Sequence, residues 1–106
     1  MIAMHSVTPE ELYELQRQDR PPLLVDVREP DEHAAFNLGG LLIPLQEITH
    51  HISRIPRDVL VVLYCRKGIR SAIAIQRLQE KHPFTNLVNL AGGTEAWKRR
   101  FPDTAG

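Results

Sequence analysis

The length, composition and charge of this chain are those of one ordinary globular domain: 106 residues, 42% hydrophobic and 25% charged. Thirteen basic residues balance thirteen acidic ones, and this net charge of zero gives no sign of a nucleic-acid or anionic-membrane partner. No apolar run approaches the ~20 residues of a membrane span, and the N-terminus lacks a signal-peptide pattern. With a single cysteine there is no intramolecular disulfide, so we expect a soluble, cytoplasmic protein.

Short apolar runs alternate with helical patterns in the first half of the chain. Thr8-Pro9-Glu10-Glu11 predicts a helix start, with Thr8 as N-cap and Glu11 closing a capping box. Residues 23–27 are almost wholly apolar, as in a strand covered on both faces. Asp31 is the expected cap of a short helix through Phe36, and residues 41–43 predict another strand. The isoleucines at 48, 52 and 55 mark one side of a further helix.

The same alternation continues in the second half. Residues 59–64 predict a strand, and Ser71 to His82 is the strongest helical pattern, with Ser71 as its expected cap. Residues 86–90 predict a last strand, and Thr94 starts a helix in which Trp97 is expected to pack in the core. Strands that alternate with helices in this way predict an α/β domain with a parallel sheet.

Cys65 is the residue that most suggests chemistry. It directly follows the 59–64 strand, at the edge of a parallel sheet where α/β proteins bind ligands. A basic loop, Arg66-Lys67-Gly68-Ile69-Arg70, then leads to the helix at Ser71. Helix N-termini and guanidinium groups both favour anions, so this thiol should ionise more readily than a free one. An inert, buried cysteine at the end of a core strand is the alternative interpretation.

Four segments, at 25–30, 39–45, 65–71 and 92–97, together resemble the motifs of the rhodanese family of sulfurtransferases. They follow one another in the family's order, and the likeness extends over about residues 6–101, the expected core of a single domain at 1–106. The resemblance implies a rhodanese-like three-layer fold with a central, mostly parallel sheet flanked by helices. The chain departs from the family's common Gly-His-Ile at residues 36–38, and residues 37–45 are similar to rhodanese domains linked to sulfur-carrier activating enzymes.

The activity that the resemblance implies is sulfur transfer through a Cys65 persulfide. The donor would be thiosulfate or another persulfide, and the acceptor a thiophilic small molecule or a sulfur-carrier or thiol protein. No metal or organic cofactor is implied. The six residues from Cys65 to Arg70 form a shorter loop than the seven-residue loop of related phosphatases, which argues against phosphate as the substrate. A partner-specific sulfur relay, a binding module with little thiosulfate turnover and a redox sensor remain as alternatives.

Other residues take supporting roles by the same resemblance. Asp26 and Arg28 align with the family's acidic and basic pair near the active site, and we expect them to brace the loop by hydrogen bonds or an ion pair. An ordinary ion pair at a strand end is the alternative. We expect Arg66 and Lys67 to face outwards and attract an anionic donor or an acidic partner, and Arg70 to help fix the loop.

Overall fold

A five-stranded parallel sheet forms the centre of the computed structural model, which describes residues 5–105. Its strands are β1 (His5–Val7), β2 (Leu23–Asp26), β3 (Leu41–Leu42), β4 (Val61–Tyr64) and β5 (Leu87–Leu90). They lie in the order β1-β5-β4-β2-β3, and each neighbouring pair is parallel. The predicted parallel sheet is therefore confirmed, with β1 as an edge strand that the sequence patterns did not indicate.

Helices cover both faces of this sheet. The α-helices are α1 (Pro9–Gln16), α2 (Pro30–Ala35), α3 (Ile69–Lys81) and α4 (Gly93–Arg100). Two 3-10 segments, Leu45–Arg54 and Pro102–Ala105, complete the described elements. The first of them contains the predicted isoleucine face, but it is kinked at His51 and is not an α-helix. In residues 5–105, no helix is long and apolar enough to cross a membrane.

The side chains of β4 show how the two faces are filled. Val61 and Leu63 belong to a core cluster with α3 and the 45–54 segment, whereas Val62 and Tyr64 belong to a second cluster with Leu12 of α1 and Trp97 of α4. Successive strand residues point to opposite faces, so a wholly apolar strand requires a covering layer on each side. The predicted three-layer architecture and the core position of Trp97 are both confirmed.

The helix starts agree only in part with the sequence patterns. At α1 the capping box is present: the Thr8 hydroxyl accepts from the Glu11 amide at 3.1 Å, and the Glu11 carboxylate accepts from the Thr8 amide at 2.9 Å. At α2 the expected cap was wrong, because Pro30 takes the first helical position and Glu29 therefore precedes the helix as its N-cap. Asp31 instead lies in the first turn, where its charge suits the helix dipole.

Helix α3 also begins earlier than predicted. Gly68 is its N-cap with a φ of 96°, a backbone conformation that glycine adopts without strain, and the helix starts at Ile69. Ser71 is therefore inside the first turn, and its expected role as a helix cap was wrong. This shift turns the Ser71 side chain toward the end of β4, where Cys65 lies.

Candidate active site

Cys65 follows β4 and has its sulfur at the N-terminal end of α3. The residue is buried, with 1% of its surface exposed. The amide of Gly68 donates to Sγ at 3.1 Å, and the amide of Ser71 does so at 3.4 Å. The Ser71 hydroxyl lies 3.3 Å from the same sulfur. These contacts arise because the loop turns at Gly68 and directs the first amides of α3 back to the strand end.

The contacts favour an ionised thiol. Burial by itself raises the pKa of Cys65, but hydrogen bonds from the Ser71 hydroxyl and from the amides of Ser71, Gly68 and Lys67 outweigh it. The net effect is a pKa below the usual value of a thiol. The direction expected from the sequence is thus confirmed, and its physical basis is hydrogen bonding at a helix N-terminus.

The start of α4 holds the cysteine loop from the other side. The amide of Thr94 donates to the Cys65 carbonyl at 2.9 Å, and the amide of Glu95 donates to the Arg66 carbonyl at 3.0 Å. Gly93 approaches this backbone so closely that a Cβ atom there would overlap the carbonyl of Cys65. Gly93 of the fourth motif therefore lets α4 dock against the loop.

A cleft of about 330 Å³ opens over the sulfur, lined by Cys65, Arg66, Lys67, Ile69 and Arg70. Three of its five lining residues carry positive charge, as the sequence predicted for this loop. Arg66 and Lys67 are exposed, as expected, and Ile69 is 65% exposed at the rim. The cleft thus combines a buried nucleophile with a cationic and partly apolar mouth.

Two of the cleft cations are paired with carboxylates from other elements. Arg66 contacts Glu95 of α4 at 2.8 Å. Arg70 forms a bidentate pair with Glu32 of α2, with N–O distances of 2.7 and 2.9 Å. The hydrogen bond with Arg70 lowers the pKa of Glu32 to about 2, and the same contact raises the pKa of Arg70. Glu32 was not singled out from the sequence, because its partner lies 38 residues away.

Asp26 and Arg28 form a buried ion pair at the end of β2. Two guanidinium nitrogens of Arg28 donate to the two carboxylate oxygens of Asp26, each at 2.9 Å. A ring nitrogen of His33 lies 2.8 Å from Asp26, and Arg28 also donates to the Phe36 carbonyl. Burial raises the pKa of Asp26, but the bonds with Arg28 and His33 outweigh it and leave this pKa lowered.

Beyond the pair itself, these side-chain hydrogen bonds join it to His33 of α2 and to Phe36 at the end of α2, and none of them reaches the 65–70 loop. The geometry is that of a strand-end ion pair, which was the alternative interpretation. The pair holds the segment that carries Glu32, and Glu32 is the side chain that reaches the loop at Arg70. Any bracing of the cysteine loop by Asp26 and Arg28 is therefore indirect.

Asn89 of β5 completes the surroundings of the sulfur. Its Oδ1 lies 2.5 Å from the Ser71 hydroxyl, and its Nδ2 donates to the Gly68 carbonyl at 3.0 Å. Sequence reasoning missed this residue, although a polar side chain in an otherwise apolar strand was a usable signal. No three potential metal ligands come together anywhere in residues 5–105.

Comparison with known proteins agrees with this geometry. The sequence model of the rhodanese-like domain family matches residues 8–100, and the chain therefore belongs to that family. A protein named sulfurtransferase from Allochromatium vinosum is 41% identical over 78 residues, which cover 73% of this chain and 72% of that protein. The crystal structure of a rhodanese-like domain protein from Staphylococcus aureus superposes with a TM-score of 0.80 at 29% identity, covering 89% of this chain and 91% of the other.

A longer relative matches through one part only. The probable adenylyltransferase/sulfurtransferase MoeZ of Mycobacterium tuberculosis is 36% identical over 102 residues, covering 92% of this chain. The chain spans about a quarter of that relative's length, 26%. This match agrees with the likeness to rhodanese domains of sulfur-carrier activating enzymes that the sequence suggested.

Proposed function

We propose that this protein is a sulfurtransferase that carries sulfur as a persulfide on Cys65. The observation that carries the proposal is the pair of backbone amides that donate to Sγ at the N-terminus of α3, those of Gly68 and Ser71. Such donors stabilise a thiolate, which is the nucleophilic form of cysteine. The cationic cleft above the sulfur supports the approach of an anionic donor.

The first half-reaction needs no cofactor. The Cys65 thiolate attacks the outer, sulfane sulfur of thiosulfate and forms an S–S bond with it. The original S–S bond of thiosulfate breaks, and its electron pair leaves with sulfite. The negative charge then lies on the outer sulfur of the persulfide, within the loop of amides and cations that previously favoured the thiolate.

The second half-reaction returns the enzyme to its starting state. A nucleophile such as cyanide or a thiolate bonds to the outer sulfur, and the Cys65 thiolate leaves with the electron pair of the persulfide bond. Because the two substrates react in turn with one residue, ping-pong kinetics are expected. Arg66 and Arg70 are already paired with carboxylates, so Lys67 would offer the least compensated charge to an anionic donor.

The test is thiocyanate production from thiosulfate and cyanide, measured beside the Cys65→Ser variant. We expect turnover in the native protein and none in the variant, with unchanged far-ultraviolet circular dichroism. Thiocyanate formation by a folded Cys65→Ser variant would contradict the mechanism.

A partner-specific relay is the second candidate, and the match to one quarter of a probable adenylyltransferase/sulfurtransferase favours it. In that case the donor would be a protein persulfide and the acceptor a sulfur-carrier or other thiol protein, in the reducing cytoplasm. Persulfide formation on Cys65 from a small persulfide such as glutathione persulfide, together with negligible turnover of thiosulfate, would distinguish the relay from a thiosulfate-type enzyme.

A further inference from the structure

The hydroxyl of Ser71 lies between two acceptors, Asn89 Oδ1 at 2.5 Å and Cys65 Sγ at 3.3 Å. A serine hydroxyl has one proton and can donate to one of them at a time. The orientation of the Asn89 amide follows from its other contact, because Nδ2 donates to the Gly68 carbonyl at 3.0 Å. Oδ1 therefore faces Ser71 and can only accept, so the short contact is a hydrogen bond donated by Ser71.

This assignment determines the contact between Ser71 and a neutral Cys65. With its proton on the Asn89 side, the Ser71 oxygen accepts from the S–H group of the thiol. Once the thiol ionises, that arrangement would place a serine lone pair against a negative sulfur. The hydroxyl must then rotate toward Sγ, and Asn89 Oδ1 loses its donor in a site where Ser71 and Asn89 are both buried.

We propose that Asn89 is a positioning residue that acts on Cys65 through Ser71. Its Oδ1 accepts the hydrogen bond of the Ser71 hydroxyl while Sγ is neutral and loses it when Sγ becomes a thiolate. The inference rests on the proposed sulfur transfer for its place in turnover, but the change of hydrogen-bond acceptor by Ser71 is a property of the resting protein.

Each half-reaction would then move the hydroxyl once. When Sγ bonds to the incoming sulfur it becomes neutral, and Ser71 turns back to Asn89. When the acceptor takes the outer sulfur, the bond between the two sulfurs breaks, its electron pair goes to Sγ, and Ser71 turns to the new thiolate. Because Asn89 competes for the Ser71 hydroxyl, the thiolate is less stabilised than it would be if Ser71 donated to Sγ alone. Less stabilised thiolates are stronger nucleophiles.

Arg70 interacts electrostatically with Cys65, and the charged groups of the cleft and of the neighbouring ion pairs have to be held constant in a test. They come from the loop, from α2, from the end of β2 and from α4: Arg66, Lys67, Arg70, Glu32, Asp26, Arg28 and Glu95. None of them is altered by substitutions at Ser71 or Asn89. A change in the Cys65 pKa in such variants therefore reports on the hydrogen bonds at the sulfur.

The experiment is a titration of the Cys65 thiolate by its ultraviolet absorbance, without any sulfur donor. The chain has one cysteine, so Cys65→Ser supplies the blank. We expect Ser71→Ala to raise the Cys65 pKa by about one pH unit, because a donor to the thiolate is lost. Asn89→Leu should lower this pKa by about half a unit, because Asn89 Oδ1 no longer competes with the thiolate for the hydrogen bond of the Ser71 hydroxyl.

The double variant separates this coupling from a general loosening of the loop. If Asn89 acts through Ser71, Asn89→Leu should have little effect on the pKa once Ser71→Ala is present. Asn86→Leu is the matched control: Asn86 precedes β5, its amide bonds the Pro56 and Val59 carbonyls, and we expect it to leave the Cys65 pKa unchanged. Asn89→Val, a residue suited to strands, provides a second substitution should the leucine prevent folding.

Shifts in the same direction for Ser71→Ala and Asn89→Leu would overturn the inference, as would an equal effect of Asn89→Leu with and without Ser71. Because the titration involves no sulfur transfer, its outcome is independent of the proposed activity. Opposite shifts in a protein that never forms a persulfide would support the change of hydrogen-bond acceptor by Ser71 and contradict the proposed function.

Discussion

Replacing Glu32 by glutamine should remove the charge of its ion pair with Arg70 while keeping its hydrogen bond with the Glu29 amide. Glutamine can still accept from the Glu29 amide, which the Glu32 carboxylate does at 3.1 Å. The Glu32 pKa falls from 4.5 to about 2, equivalent to at most about 3 kcal/mol. The two side chains are 34% and 27% exposed, so solvent screening reduces the expected loss in unfolding free energy to about 1 kcal/mol.

The pH dependence follows from the direction of this shift. A carboxyl whose pKa is lowered by folding stabilises the native state fully above its unfolded value, near 4.5, and loses that contribution as the pH falls toward about 2. The difference in unfolding free energy between the native protein and Glu32→Gln should therefore be constant near neutrality. It should shrink as the pH falls from 4.5 toward about 2.

Urea denaturation at a series of pH values measures this difference. Glu80→Gln is the matched control, since Glu80 is an exposed glutamate near the C-terminal end of α3 and the chemical change is identical. We expect a loss in the Glu32 variant at neutral pH and a much smaller one in the control. A Glu32→Gln variant as stable as the native protein at neutral pH, or a difference that does not change with pH, would refute this reasoning.

Four further substitutions test the sulfur and its surroundings. Arg70→Ala should lower kcat/KM for thiosulfate by about tenfold, and Lys67→Ala by less, because Arg70 also ties the loop to α2. Equal losses would contradict a contribution of this contact with α2 to activity. Gly93→Ala should lower the unfolding free energy by about 2 kcal/mol or more, since the added methyl meets the backbone of Cys65 and Arg66 at a φ of 60°. An unchanged melting temperature would contradict that close approach. Cys65→Ser should keep the native melting temperature while losing sulfur transfer, which a thermal melt beside a thiocyanate assay checks.

Local patterns in the sequence predicted most of the fold. The apolar runs around Val25, Leu63 and Val88 indicate buried parallel strands because both faces of these strands are covered. The Thr8 capping box has all its partners within four consecutive residues, so the sequence alone is sufficient to recognise it. The position of Cys65 at the end of a strand and before a helix was equally local.

What the sequence did not predict depends on contacts between distant segments. Glu32 meets Arg70 across 38 residues, and Asn89 meets Ser71 across 18. Periodicity along one element does not reveal such pairs, since they arise only when the sheet brings several strand ends together. The edge strand β1 was missed for a related reason, because His5 and Ser6 are exposed and form no apolar run.

Intact mass after mixing the reduced protein with thiosulfate tests the central claim most directly. We predict a gain of one sulfur atom, its reversal by cyanide, and no gain in Cys65→Ser. A native protein that gains no sulfur from thiosulfate or from a small persulfide would contradict a Cys65 persulfide as the carrier.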